Sequence, residues 1–243
     1  MSLNSFFSKF GRKASPEQPG VSSVHATSNC SRYKHPEFQI RVSSTAVPAE
    51  DISWLLQFFE SRVAQGEKFQ SGESLQVGWM LTMLEDGPGG SLRVLEPDMR
   101  VVPVKFIDSV DSALRHLRNQ QDIVRSLASP VELDFPSLRQ SAVVHVNYKD
   151  SVRILLTRSD AADGTDSGWW LSDLDDQARS QDPARFFKTS LYQLGVDRPD
   201  LIKFFAVPAG LQIVVDGARI GVLQAGDEVP QIPGSYLSEL NKL

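Results

Sequence analysis

The apolar positions of the chain change period several times, and the changes mark its elements. Residues 1–36 show little periodicity and are punctuated by Pro16, Pro19 and Gly20, which predicts a flexible N-terminal tail. Within it, Phe6, Phe7 and Phe10 beside Lys9, Arg12 and Lys13 could form one amphipathic turn, although a frayed terminus is the simpler reading. Alternation at Phe38–Val42 predicts a strand. Pro48 then opens a helix with Ile52, Leu55, Leu56, Phe59 and Val63 on one face, and Gly66 stands where a helix stops. Leu75–Leu84 and Leu92–Leu95 predict strands around the turn Asp86-Gly87-Pro88-Gly89-Gly90, and 101–107 an edge strand interrupted by Pro103. Asp108 or Ser109 is positioned to cap a helix with Val110, Leu114, Leu117, Val124 and Leu127 on one stripe, ending at Ser129-Pro130.

A connector with Pro130 and Pro136 leads to strands at Ala142–Val146 and Val152–Leu156. An acidic loop carrying Trp169-Trp170 follows, then a short helix from Phe186 to Gly195 and a helical turn at Asp200–Phe205. Leu211–Val215 closes as a strand on an Asp216-Gly217 turn. The expected fold class is α+β: two small mixed domains, 37–129 and 130–243, each an antiparallel sheet with flanking helices.

Composition narrows the function. A net charge of −5 argues against nucleic acid as a partner, because such binders need a basic footprint, and mildly favours a basic protein. No apolar run reaches the ~20 residues of a membrane span, and the N-terminus lacks a secretory h-region. One cysteine, Cys30, permits no intramolecular disulfide. These features together predict a cytoplasmic protein without a membrane partner.

Chemistry is mostly missing. The four histidines, 25, 35, 116 and 145, are scattered, and no zinc, nucleophile-elbow, phosphate-loop or dinucleotide motif occurs, so no catalytic residues, no metal and no cofactor are expected. His145, between Val144 and Val146, should face away from them, and Cys30 should lie in the tail. Gly87-Pro88-Gly89-Gly90 has no lysine after it and reads as a turn. The aspartates between 160 and 182 could surround calcium, but Leu171 stands where an EF-hand loop starting at Asp160 needs its glutamate. A metal- or small-molecule-binding regulatory module using these aspartates is the alternative reading.

What remains is Asp166-Ser167-Gly168-Trp169-Trp170 within a run of acidic residues. If the tryptophans lie on a strand, one must point inward and the other outward. From about Val143 to Asp216 the chain resembles a family of immunity proteins from bacterial polymorphic-toxin systems. The resemblance rests on a strand pair, Asp166-Ser167-Gly168-Trp169, the acidic stretch Asp173–Asp176, Pro199-Asp200-Leu201-Ile202 and Pro208-Ala209-Gly210. The family often has Arg and Phe after the Trp and then a Gly-Asp-Glu run, where this chain has Trp170-Leu171-Ser172-Asp173-Leu174. The resemblance implies a cytoplasmic antidote to a toxin delivered by a contact-dependent or type VI route. It would act without catalysis, by covering the toxin's active site with an acidic surface. On that reading Asp166, Trp170, Asp173, Asp175 and Asp176 contact the toxin, while Ser167, Gly168 and Trp169 hold the fold.

Overall fold

The computed structural model describes residues 22–160, 163–179 and 182–242. The expected amphipathic turn at Phe6–Phe10 lies outside the described residues. The fold is α+β, built on two mixed sheets. The first contains β1 (Ser23–Ala26), β2 (Phe38–Val42), β3 (Ser74–Val77), β4 (Met80–Asp86), β5 (Leu92–Pro97) and the short β6 (Phe106–Ile107). Its order is β1-β2-β5-β4-β3, with β6 on the end of β5; β2 and β5 run parallel and the other neighbours antiparallel.

Two helices serve this sheet, α1 (Ala49–Ala64) and α2 (Asp111–Arg125). In α1, Leu55, Phe59 and Val63 recur every four residues and are buried. Phe59 stacks on Phe38 of β2 at 4.5 Å. Pro48 is the N-cap, Glu50 and Asp51 complement the positive end of the helix, and Gly66 leaves it at φ +96°. The start of α2 differs from expectation. Neither Asp108 nor Ser109 is the N-cap residue; that place belongs to Val110. Glu96 from β5 accepts the amides of Ser112 (3.1 Å) and Ala113 (2.6 Å), while Ser109 Oγ accepts only that of Asp111. A carboxylate 16 residues away in sequence satisfies the orphan donors of the first turn.

The second sheet contains β7 (Ser141–His145), β8 (Arg153–Arg158), β9 (Asp166–Asp173), β10 (Phe186–Ser190), β11 (Leu211–Asp216), β12 (Arg219–Gln224) and β13 (Asp227–Glu228). Its order is β10-β7-β9-β8-β11-β12-β13, with β7 and β9 parallel and the rest antiparallel. The short helices α3 (Leu191–Asp197) and α4 (Tyr236–Leu240) accompany it.

Four expectations change. Residues 22–36, assigned to the tail, contain β1 and a 3-10 turn at Cys30–Tyr33, and Cys30 is fully buried in the first core. β1 is fixed by pairing with β2 from Ser23↔Val42 to Ala26↔Gln39, a contact no local pattern announces. The predicted strand 75–84 is a hairpin, broken at Gly78, whose φ of +60° suits glycine and where an added Cβ would press on the Leu117 side chain at 3.0 Å. Of the expected edge strand 101–107, only Phe106–Ile107 pairs. Phe186-Phe187 begins β10 instead of a helix; the helix starts at Leu191, where Ser190 accepts the amide of Gln193.

The halves share a core. Trp79, Met80 and Leu81 and the α2 residues Ala113, Ile123 and Val124 pack in one cluster with Val144, Leu156, Trp169, Phe205 and Ile213. Val110 and Leu114 of the same helix belong to the first core. Thus α2 is packed on both sides, and the boundary drawn after residue 129 falls just beyond it. Among the described residues no helix is long and apolar enough to cross a membrane.

Candidate functional site

The expected acidic loop is an inner strand of the second sheet. β9 lies between β7 and β8, and the alternation of its burial decides what each residue does. Its entry is irregular: Ser141 pairs with Asp166 but Val143 with Trp170, so four residues of β9 span two of β7. Gly168 takes up this bulge at φ +75°. A Cβ there would lie 2.0 Å from the Ser159 carbonyl oxygen. The bulge is closed by its own polar groups. Gly168 donates its amide to Asp166 Oδ1 (3.0 Å), Ser159 donates its amide to the Gly168 carbonyl (3.0 Å), and Ser167 Oγ donates to the Ser141 carbonyl (2.7 Å).

The bulge sets the two tryptophans on opposite faces. Trp169 is buried, donates Nε1 to the Phe205 carbonyl (3.2 Å), and lies under the guanidinium of Arg158 at 5.3 Å. Arg158, also buried, donates to the carbonyls of Phe205 and Val207 and pairs with Asp134 at 2.9 Å. Burial pulls its pKa below the usual arginine value, against the pull of Asp134. This polar cluster ties β8 to the segment after Phe204.

Trp170 remains 43 % exposed and leans on Phe186 of β10 at 4.8 Å between ring centroids. Strand register places it in a row across the sheet: Lys188, Val143, Trp170, Thr157, Gln212, Leu223. Every position in this row is half-buried or exposed. Leu155 and Val214, paired with one another, stand on the same face one step along. The result is a broad outer face with an aromatic anchor and alternating apolar and polar positions, a surface suited to covering by protein.

The five predicted contact residues do not form one patch. Asp166 begins β9 and Asp173 ends it, which at ~3.3 Å per residue separates them by about 23 Å. Asp166 is half-buried and its Oδ1 is used within the bulge. Asp173, Asp175 and Asp176 do gather, at the far end of β9, but the fold supplies them with partners. Asp173 is buried and accepts from Asn147 (3.1 Å) and the Asp175 amide (3.0 Å). Burial pushes its carboxyl up, and these hydrogen bonds outweigh burial and hold it below the usual carboxylate range. Asp175 pairs with Arg153 at 3.0 Å, which also pairs with Asp216; Asp176 pairs with Arg185 at 2.5 Å.

His145 sits against this cluster, on the opposite face of β7 from Val144, as alternation requires. It is buried, with Phe186 across its ring at 5.2 Å. The Asn147 amide donates to Nδ1 (3.2 Å), and Nε2 lies 3.3 Å from Asp176 Oδ2. Two guanidinium groups, Arg153 and Arg185, therefore offset part of the acidic rim, and Asn147 hydrogen-bonds the buried Asp173. Among the described residues no group of three or more His, Cys, Asp or Glu is placed to hold a metal ion. Carboxylates committed to guanidinium groups are poor ligands for calcium, which requires six to eight oxygens.

The sequence reading missed β10. Phe186 and Lys188 flank the face, and the usable signal was Ser190-Leu191-Tyr192-Gln193, a capping pattern that starts the helix after them.

Searches among curated proteins and among solved structures found no match to the chain. A family model described as the Imm33-like domain matches residues 119–224, from within α2 to the end of β12. That span contains the Trp170 face, so the part of the chain carrying the exposed aromatic anchor is the part similar to an immunity-protein-like family.

Proposed function

We propose that this protein is a cytoplasmic immunity protein that binds a cognate protein toxin and neutralises it by covering its active site. The observation that carries the reading is the Imm33-like match over residues 119–224. The geometry supports a specific contact surface, the outer face of the second sheet with Trp170 at its centre. Aromatic side chains held rigidly on a strand make effective interface anchors, because little side-chain freedom is lost on binding.

The pairing of the aspartates refines the electrostatic part of the proposal. Asp173 is buried and belongs to the scaffold, and Asp176 is committed to Arg185. Asp175 and Asp216 share Arg153 and leave the rim one negative charge. Charge then acts mainly through the overall balance of −5, which raises the rate of encounter with a basic toxin, while the apolar face sets the lifetime of the complex. No enzymatic step is needed, since occlusion is sufficient.

The test is co-expression with the product of the gene adjacent to this one, the candidate toxin. Growth rescue and a stable co-purified complex are the expected results. Trp170→Ala combined with Asp175→Ala should abolish rescue while leaving the fold intact. Asp176 is a poor choice for such a variant, because its loss leaves Arg185 and His145 without their carboxylate. Absence of any complex with the wild-type chain overturns the reading.

A further inference from the structure

β10 forms one edge of the second sheet, and its backbone shows which groups face outward. The Val146 amide donates to the Arg185 carbonyl and the Leu191 amide to the Gln140 carbonyl. Odd-numbered residues of this segment therefore direct their backbone groups at β7, and Phe186, Lys188 and Ser190 direct theirs away. The Phe186 amide is used by the Pro183 carbonyl. Among the described residues nothing pairs with the Phe186 carbonyl, both backbone groups of Lys188, or the Ser190 amide. They form an alternating acceptor and donor set that matches one extended antiparallel segment of about five residues.

The side chains add specificity to this edge. Phe186 touches Trp170 on the outer face, and on the other face Phe187 is 44 % exposed with its ring edge-on to Tyr148 at 5.8 Å. Lys188 stands in register with Val143 and is exposed; it makes no ion pair among the described residues and adds to the hydrogen bonds of Thr165 in holding Asp163 below the usual carboxylate range. The other strand ends differ. β13 has two residues, β1 has four, and at β3 the Gln76 side chain folds across to the Pro136 carbonyl at 3.3 Å.

We propose that the toxin adds a strand to β10, so that the seven-stranded sheet continues into the partner. The added segment runs antiparallel and places an acidic residue opposite Lys188. Two positions further along it places an apolar residue opposite Phe186, against Trp170. This rests on the immunity reading, and it assigns the Trp170 face as the flank of the interface and the β10 edge as its centre line.

The test combines backbone hydrogen exchange with an edge-blocking variant, using the full chain and the product of the adjacent gene, the candidate toxin, in an inactivated form. In the complex, exchange of the Lys188 and Ser190 amides should slow by about 100-fold or more relative to the free protein. Lys188→Pro removes an amide that does not bond β7 and obstructs an added strand, so it should keep the wild-type urea midpoint and bind at least about tenfold more weakly. Should that variant fold poorly, Lys188→Glu leaves the backbone untouched and should weaken binding through charge repulsion alone. A wild-type complex in which both amides exchange as in the free chain overturns strand addition and leaves the immunity reading in place. Protection of those amides in the chain alone, with a dimer by light scattering, gives the edge to a second copy and also overturns it. Failure of the wild-type chain to bind the toxin overturns both proposals.

Discussion

Replacing Gly168 by alanine measures how firmly the β9 bulge fixes the two tryptophans. The backbone there is left-handed at φ +75°, which costs an L-residue about 1–2 kcal/mol. The new Cβ would meet the Ser159 carbonyl oxygen at 2.0 Å, so β8 and β9 must open by about 1.4 Å to reach ordinary contact at 3.4 Å. That movement acts on the residue whose amide and hydroxyl both donate to the Gly168 carbonyl, at 3.0 and 3.2 Å. Losing both bonds adds about 2 kcal/mol, for a total of about 3–4 kcal/mol. Gly217 provides the control: it is left-handed at φ +61° but has no atom within 4 Å of a built Cβ. Gly217→Ala should cost only the backbone part, about 1–2 kcal/mol. Urea unfolding followed by tryptophan fluorescence measures both, and with a slope near 3 kcal/mol per molar the Gly168 variant should lose about 1 M in midpoint. Equal midpoints for the two variants would refute the steric argument for the bulge.

Other perturbations test separate parts of the structure. Arg158→Met removes the buried guanidinium from Trp169 and from the Phe205 and Val207 carbonyls, leaving the half-exposed Asp134 to water, and should cost about 2–4 kcal/mol in the same assay; a loss under 1 kcal/mol contradicts its role as a tie. Burial raises the Cys30 thiol to about 11, so alkylation at pH 8 should be slow in the native chain and fast in urea; rapid native labelling contradicts its buried position. Burial, with Arg115 beside it, lowers His116 from 6.5 to about 4, so the unfolded chain takes up the proton first. The stability contributed by its neutral ring is complete above about pH 6.5 and is lost as pH falls towards 4. His116→Leu should flatten that part of the profile, and an unchanged slope argues against the assignment. Asp173, Asp197 and Glu37, each held below the usual range by hydrogen bonds that outweigh burial, extend the loss of stability below about pH 4.

Periodicity was enough for the elements that bury one continuous face. α1 runs between Pro48 and Gly66 as its composition announces, and the Asp216-Gly217 turn joins β11 to β12 in register from Leu211↔Gln224 to Asp216↔Arg219. β9 escaped because Asp, Ser and Gly are poor strand formers. It is a strand because β7 and β8 supply pairing on both sides, and strand preference follows such surroundings more than composition. The Glu96 cap of α2 and the pairing of β1 are likewise long-range contacts. The candidate site was visible as residues and hidden as electrostatics. Carboxylates can be counted along a chain, whereas Arg153 reaches Asp175 across 22 residues and Arg185 turns back on Asp176 across nine. An acidic run became a set of internal ion pairs, and Trp170 emerged as the feature of the motif that faces outward.

Titration calorimetry of the purified chain with the product of the adjacent gene, the candidate toxin, decides whether the Trp170 face binds a toxin. The expected result is a one-to-one complex with nanomolar Kd, weakened about 10- to 100-fold by Trp170→Ala at unchanged urea midpoint. A wild-type chain that releases no heat with that product, or a Trp170→Ala variant that binds as tightly as wild type, would contradict it.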